Sequence, residues 1–256
     1  MVNSKIIMLV GDGLSSKIMY HQLSKEYIIE KVFVEKSVSR RKLIKRRLKR
    51  LGFKTLFGQL LFLGILSPII DIFSQKRIEQ IITNFNLNIS DIPKEKIINI
   101  NSVNDSITIQ LIKEISPKVI IVNGTRIISK KVIQSTSAVL LNTHVGITPK
   151  YRGVHGGYWA LANNDREHCG VTVHLIDEGI DTGEILYHGL IEPTKKDTYA
   201  TYPLMQTAIG ANLMKNAVKD ALTNNLKPFN MDTVSNLWYH PTAWTYLINL
   251  FFKGIK

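Results

Sequence analysis

The chain has 256 residues, 45% of them hydrophobic, and a formal net charge of +13. This composition is typical of a globular protein with a sizeable core, and it excludes an intrinsically disordered chain. The single cysteine, Cys169, excludes an intrachain disulfide and a cysteine-based zinc cluster and fits a reducing cytoplasm. The N-terminus leads directly into a strand-like segment rather than a secretory signal, so we expect a cytoplasmic protein.

The positive charge is concentrated in one segment of the chain. Ten basic residues and no acidic ones lie between Lys36 and Lys54, and the rest of the chain carries a net charge of only +3. Because the excess is local, nucleic-acid binding by the whole protein is not favoured.

The first predicted unit is a strand, a helix and a second strand. Lys5–Val10 is an apolar strand, a turn rich in glycine and serine leads into a helix ending near Leu23, and Ile28–Glu35 is the next strand. Backbone N–H groups at the positive end of a helix suit a phosphate group, although a plain turn with a serine N-cap is the alternative. The candidate substrate-binding residues in this turn are Gly11, Gly13, Ser15, Ser16 and Lys17.

Residues 37–92 depart from the alternation of strands and helices. Residues 37–54 predict a basic amphipathic helix, and residues 57–73 are apolar but shorter than the ~20 apolar residues of a membrane-spanning helix. The helix is expected to continue to Asn84. Three interpretations stay open: packing on the core or on a second subunit of a homodimer, contact of residues 37–73 with an anionic membrane surface, or nucleic-acid binding.

Two later strands end in polar side chains. An apolar run stops at Asn142 and His144, which alternation along an extended chain points in the same direction. A second strand, Val171–Ile176, is followed by a loop that carries Asp177 and Asp181. Ligands of open α/β sheets bind beyond the carboxyl ends of strands, so an amide, an imidazole and a carboxylate are expected to meet there.

The remaining pattern alternates short strands and helices. Further strands are predicted at Lys96–Ile100, Lys118–Val122 and Gly183–Ile191, and further helices at Val103–Ile115, Tyr158–Asn163 and Thr198–Thr223. This order favours one α/β domain over residues 1–224, with a helical insertion at 37–92 and a C-terminal extension at 225–256.

The string N-T-H, then P-K-Y-R-G, then V-T-V-H-x-x-D-x-x-x-D-x-G closely resembles the catalytic core of the formyltransferases that use N10-formyltetrahydrofolate. This family includes phosphoribosylglycinamide, methionyl-tRNA and sugar N-formyltransferases, and the match covers roughly residues 119–186. The resemblance implies a Rossmann-like α/β fold with a mostly parallel sheet and N10-formyltetrahydrofolate as co-substrate. It implies no metal, because the formyl group arrives already activated on the folate.

The resemblance also implies roles for individual residues. Asn142, His144 and Asp181 are the expected catalytic residues, whereas His155 and His174 are not expected to take part in catalysis. The expected folate contacts are Gly124, Arg126, Ile127, Ile128, Asp177 and Gly179. The expected acceptor contacts, besides the first turn, are Lys150, Tyr151, Arg152 and Tyr158.

The G-Y-W-A pattern after His155 is more similar to the sugar enzymes than to the tRNA enzymes, and the tail is too short for a tRNA-binding barrel. We therefore expect formyl transfer to the amine of a nucleotide-linked amino sugar, in bacterial surface glycan synthesis, by a cytoplasmic protein, which would be membrane-peripheral if residues 37–73 contact lipid. Phosphoribosylglycinamide formyltransferase is one alternative. A non-catalytic membrane- or nucleic-acid-binding protein on the same scaffold is the other.

Overall fold

The computed structural model describes residues 4–256; residues 1–3 and the side chains of Arg40 and Lys42, two members of the basic segment, lie outside the described part. The strands are β1 (Ile6–Gly11), β2 (Ile29–Glu35), β3 (Ile97–Ile100), β4 (Val119–Asn123), β5 (Val139–His144), β6 (Arg152–Gly153), β7 (Gly170–Leu175), β8 (Ile185–Leu190) and β9 (Leu237–Trp238). The α-helices are α1 (Leu14–Leu23), α2 (Arg40–Leu61), α3 (Ser67–Asn84), α4 (Ser106–Ile115), α5 (Lys130–Ile133), α6 (Gly156–Ala162), α7 (Tyr202–Leu222) and α8 (Ala243–Lys253).

A seven-stranded sheet in the order β3-β2-β1-β4-β5-β7-β8 forms the centre of the molecule. The strands from β3 to β5 in this order are parallel, and β7 and β8 continue the sheet in antiparallel fashion. Strands β1 and β4 are buried almost throughout, which is why they read as continuous apolar runs. The predicted α/β fold with a mostly parallel sheet is confirmed.

Helices cover both faces of this sheet. Met8 of β1 points into a cluster that includes Met214 of α7 and residues of α1. Its neighbour Leu9 points to the opposite face, where Ile112 of α4 and residues of α5 pack. The alternation of side chains along β1 therefore builds two separate apolar layers, and the carboxyl ends of the strands stay free for a binding site.

The predicted insertion forms a long helical arm. A π-helical turn, Phe62–Leu66, joins α2 to α3, and α2 is kinked at Gly52, whose φ is +76°. The arm ends at Asn84 as predicted. By length and composition alone, the helix Leu43–Asn84 also meets the criteria for a membrane span, and 22% of its most apolar window is buried in the structure. Phe62 on its inner face is fully buried.

The C-terminal tail packs against the body of the domain. Strand β9 pairs in parallel with β6, with Gly153 opposite Trp238. The Trp238 ring stacks on Trp159 of α6 at 4.7 Å between ring centroids, and Tyr246 of α8 contacts Phe62 at 5.1 Å. The sequence analysis gave no role to this segment. In the structure it contacts both strand β6 and the helical arm, and so connects them.

Candidate active site

The end of β5 carries two of the expected catalytic side chains. Asn142 and His144 are separated by one residue and both line a cleft of about 510 Å³. Asp181, from the loop after β7, lines the same cleft. The structure thus brings together the three side chains that the sequence analysis expected to be catalytic.

His144 is held in one orientation. Only 5% of its surface is exposed, and its Nε2 lies 2.7 Å from the backbone oxygen of Tyr151. A carbonyl oxygen only accepts hydrogen bonds, so Nε2 must carry the proton. The other ring nitrogen, Nδ1, lies 3.4 Å from Oδ2 of Asp181. Nδ1 is therefore the atom that can gain or release a proton beside the carboxylate.

Asp181 is positioned by its loop rather than by a strand. Its backbone has a φ of +51°, a left-handed conformation that few residues other than glycine adopt. Its Oδ2 accepts a hydrogen bond of 3.1 Å from the backbone N–H of Gly153, and Arg152 donates to the oxygen of Ile180 at 2.9 Å. Gly183 lies against the carbonyl of Leu175, where a Cβ would clash. The loop is therefore fixed at both ends.

His174 determines how the Asn142 amide is oriented. Its Nδ1 lies 2.7 Å from the oxygen of Leu175 and so donates a proton, which leaves Nε2 as an acceptor. Burial lowers the pKa of His174 and keeps it neutral. Nδ2 of Asn142, at 3.0 Å, must then donate to this Nε2. One N–H of the amide is used, and the second N–H remains for a ligand.

The predicted folate-binding residues line the same cleft. Gly124, with a φ of +71°, and Ile127, which is 56% exposed, contribute to one wall. The Asp177 carboxylate accepts hydrogen bonds from the N–H of Gly179 at 3.0 Å and from Thr182 at 2.8 Å, which orders the loop on the other side. The cleft has the volume and the mixture of apolar and hydrogen-bonding groups of a small-molecule site.

Arg126 lies between this cleft and a second cleft, which is lined in part by the first turn of the chain. Its backbone N–H donates to Oε2 of Glu35 at 2.8 Å, and its guanidinium donates to the oxygen of Lys36 at 2.7 Å. Glu35 is 5% exposed, so it holds the arginine from inside the protein. Arg126 contributes to the lining of both clefts.

The second cleft is larger, about 950 Å³, and it includes most of the first turn. Helix α1 begins at Leu14, directly after the turn, so its free N–H groups adjoin this cleft. Gly11 passes so close to the backbone of Gly124 that a Cβ would clash. The predicted residues that line the cleft are Gly11, Gly13, Ser15 and Ser16.

A comparison with known proteins decides the family. The sequence profile of the formyl transferase family matches residues 70–218, more than half of the chain. The chain belongs to the formyl transferase family. The co-substrate and the enzyme class expected from the sequence, folate-dependent formyl transfer, are those of this family.

The curated relatives of this formyl transferase are methionyl-tRNA formyltransferases. The enzyme of Pelotomaculum thermopropionicum is 34% identical over 105 residues, which cover 41% of this chain and 33% of the relative. The enzyme of Methylacidiphilum infernorum is 37% identical over 114 residues, which cover 44% of this chain and 35% of the relative. The match thus spans about a third of the length of these relatives.

Solved formyltransferase structures share the fold over most of the chain. A sugar N-formyltransferase from Shewanella sp FDAARGOS_354 has a TM-score of 0.56 at 16% identity, covering 91% of this chain and 76% of its own. The N-formyltransferase from Helicobacter canadensis, solved with folinic acid and dTDP-3-aminofucose, has a TM-score of 0.53 at 19% identity and covers 91% and 70%. Phosphoribosylglycinamide formyltransferase from Streptococcus pneumoniae TIGR4 has a TM-score of 0.52 at 16% identity and covers 86% and 98%.

Several predicted acceptor contacts of this formyl transferase lie elsewhere. Lys17 forms an ion pair of 2.7 Å with Asp91 and lines a hollow that shares Gly11, Gly13 and Ser16 with the second cleft, so its contact with the acceptor stays a prediction. Tyr151 is 2% exposed and Tyr158 is 1% exposed. The prediction that these two tyrosine side chains contact the acceptor is corrected, because both rings are buried.

Lys150 and Arg152 support the loop instead of lining the cleft. The Lys150 ammonium lies 2.6 Å from Asp165, and the Tyr151 hydroxyl donates to the same carboxylate at 2.7 Å. Arg152 holds the loop of Asp181 through the oxygen of Ile180. These residues hold the two loops that carry Gly153 and Asp181, and the cleft is lined by Gly153 and the residue after it.

The sequence analysis missed side chains that come from distant parts of the chain. Arg50 of the helical arm and Tyr239 of the tail both line the catalytic cleft, with the Arg50 guanidinium 5.0 Å from the centre of the Tyr239 ring. Asn123, at the end of β4, donates to the hydroxyl groups of Ser15 and Ser16 at 3.1 and 3.2 Å. The sequence contains a signal for Asn123, because this residue follows an apolar strand in the same way as Asn142 does.

Proposed function

We propose that this protein transfers a formyl group from N10-formyltetrahydrofolate to the primary amine of a nucleotide-linked amino sugar, in the cytoplasm, for surface glycan synthesis. The observation that carries the proposal is the convergence of Asn142, His144 and Asp181 on one cleft that adjoins a larger, phosphate-compatible cleft. The two clefts share Ser15 and Arg126 at their boundary.

The three side chains have complementary tasks in formyl transfer. When bound, the folate supplies an activated formyl group. The free N–H of Asn142 donates to the negative oxygen that develops as the amine attacks, a contribution often worth about 2.7–4 kcal/mol. Asp181, beside Nδ1 of His144, takes up the proton that the amine loses, directly or through the imidazole, and the same pair returns a proton to the departing nitrogen.

The second cleft supports an acceptor that carries phosphate. The N-terminus of α1 and the basic residue Lys36 both border it and favour negative charge, and they share the lining with the acidic residues Asp12 and Glu35. Sugar N-formyltransferases are among the proteins with this fold, and one of them was solved with a dTDP-linked amino sugar. These points favour a nucleotide sugar and leave the sugar and the nucleotide to be identified.

The test measures release of tetrahydrofolate from N10-formyltetrahydrofolate. The acceptors are UDP-, dTDP- and CMP-linked amino sugars, glycinamide ribonucleotide and, because of the curated relatives, methionyl-tRNA. We expect turnover with one amino sugar and a loss of at least about 100-fold in kcat for Asp181→Asn. Asp232→Asn, at an exposed position in the tail, is the matched control and should retain activity.

The other outcomes of this panel decide the alternatives. Turnover with glycinamide ribonucleotide alone would replace the proposal by a role in purine synthesis. The observation that favours this alternative is that the structural match covers 98% of the Streptococcus pneumoniae enzyme. Binding of anionic vesicles or nucleic acid without folate binding, unchanged by His144→Ala, would indicate a non-catalytic protein on this scaffold.

A further inference from the structure

The outer face of the helical arm is apolar, although the solvent-facing side of a surface helix is normally polar. Exposed apolar side chains recur at intervals of three to five residues along the arm, at Phe53, Phe57, Leu60, Ile65, Ile69 and Ile72. Phe53 is 75% exposed, Ile72 is 69% exposed and Phe73 is 84% exposed. A continuous apolar patch of this kind marks an interaction surface.

The inner face of the same arm is already packed. Gln59 donates to the oxygen of His240 at 2.7 Å, and the hydroxyl of Ser74 lies 2.7 Å from that of Thr198. Phe62 is fully buried beside the ring of Tyr199, at 4.9 Å between centroids. The arm is thus fixed on the domain through its inner face, and its exposed face does not contribute to the hydrophobic core.

Helix α8 adds a second apolar face next to the arm. Its inner residue Tyr246 packs on Phe62, and Gly58 of α2 lies directly against its Trp244. Its outward residues include Phe251, 76% exposed, and Phe252, 84% exposed. Two neighbouring helices therefore expose large aromatic side chains.

Positive charge lies at one end of this surface. Residues 37–73 contain nine basic residues and one acidic residue, Asp71. Among the residues that the structure describes, no ion pair involves a basic side chain of 41–54. The exposed basic side chains of this end are Arg41, Lys45, Arg46, Lys49, Arg50 and Lys54. Their charge is available to an anionic partner.

We propose that the outer faces of residues 53–73 and α8, together with the basic half of α2, dock this enzyme on an anionic lipid bilayer. A helix with exposed Phe and Ile on one side and Lys and Arg beside them matches both layers of a lipid interface, the acyl boundary and the anionic headgroups. A second copy of the chain would bring charge of the same sign, whereas an anionic bilayer supplies the opposite sign.

Docking on this surface would also place the active site at the membrane. Leu43 of α2 lines the larger cleft and Arg50 lines the catalytic cleft, so the membrane-binding helix borders both. Docking would determine that the enzyme acts at the membrane surface, whichever acceptor the clefts bind.

The experiment is co-flotation of the full-length protein with vesicles of phosphatidylcholine, with and without phosphatidylglycerol, at low and high salt. We expect binding to the anionic vesicles and weaker binding at high salt. Phe73→Ser combined with Phe251→Ser and Phe252→Ser should weaken binding at least about tenfold, because the aromatic rings no longer enter the acyl boundary. The matched control is Ile28→Ser with Ile107→Ser, at positions 80% and 68% exposed on other elements, and it should bind normally.

A charge test separates headgroup attraction from apolar contact. Lys45→Glu with Lys49→Glu should weaken binding by at least about fivefold for each positive charge removed. The control pair, Lys113→Glu with Lys131→Glu, makes the same change at exposed positions on α4 and α5 and should leave binding unchanged.

Four results would overturn the proposal. The first two are no binding to anionic vesicles and equal binding by the wild type and the triple phenylalanine variant. The third is a stable dimer that this variant breaks, with no vesicle binding by the wild type, and the fourth is retention in cell membranes after alkaline carbonate extraction, which would indicate a spanning helix. Formyl transfer to a soluble acceptor, measured on the same variants, should be unchanged, so a failure of docking is distinguishable from a failure of the proposed activity.

Discussion

His174 orients a reacting group without reacting itself. It donates to the backbone at one ring nitrogen and accepts from Asn142 at the other, so the Asn142 amide has only one orientation that satisfies both partners. A rotated amide would direct its oxygen, rather than its N–H, at the developing negative charge. The role of Asn142 therefore depends on the neutral state of His174.

Replacing this imidazole tests that dependence. His174→Phe keeps a ring but removes the acceptor, and we expect kcat to fall about 10- to 100-fold with little change in KM for the folate. His174→Gln restores an acceptor and should recover part of kcat. Steady-state kinetics of both variants measure the effect, and equal kcat values for wild type and His174→Phe would refute the role.

Side-chain direction was predictable at the end of a strand but not in the loop at Lys150 and Tyr151. Asn142 and His144 follow from alternation along β5, which places two side chains separated by one residue on the same side. Lys150 and Tyr151 stand in a matching motif, but their side chains are directed to Asp165. Sequence spacing does not determine side-chain direction in a loop, because loop backbones lack a fixed period.

Gly58 permits the close contact between α2 and α8. A glycine inside a helix normally costs about 1 kcal/mol relative to alanine. Here a Cβ would overlap the ring of Trp244 and the side chain of Thr242. The sequence carries this glycine because the two helices meet there.

Alanine substitution at two glycines of the arm should give opposite results. Gly58→Ala should lower the free energy of unfolding by about 1–3 kcal/mol, because the ring must move. Gly64→Ala, where no atom lies within 4 Å of the added Cβ, should be neutral or stabilising by up to about 1 kcal/mol. Urea unfolding measures both, and equal effects would refute the packing argument.

The helical arm was predictable as a set of helices but not as one unit. Its apolar period and the end at Asn84 were visible in the sequence. The kink at Gly52 and the π-helical turn at Phe62–Leu66 were not, because both depend on how the arm fits the domain beneath it.

Two carboxylates hold segments of the whole molecule together, Asp197 across a long sequence separation and Asp165 within one region. Asp197 accepts from Arg77 of the arm at 2.7 Å, and Asp165 accepts from Lys150, Tyr151 and His168. Burial alone would raise the pKa of Asp165, but these donors prevail and hold it at about 2. The pKa of Asp197 is lowered in the same way by Arg77 and Thr194, against the effect of its burial.

These shifts predict acid instability. A carboxyl whose pKa is lower in the folded chain stabilises it above its unfolded pKa and loses that contribution as the pH falls through the folded value. For Asp165 the contribution is about 2 kcal/mol, lost between about pH 4 and pH 2. Asp165→Asn should flatten this part of the pH dependence of urea unfolding, and Asp232→Asn should not.

The sequence by itself determined the sheet, because buried strands read as short apolar runs, and its ordered motifs indicated the family and the three side chains Asn142, His144 and Asp181 through their resemblance to the formyltransferases. Only the tertiary structure decided the contributions of Arg50 and Tyr239 to the catalytic cleft, the contact of His174 with Asn142, and the joint apolar surface of residues 53–73 and α8. Each of these brings together residues far apart in the chain or fixes the direction of a side chain. No local pattern encodes such distances and directions, since they arise when the elements pack.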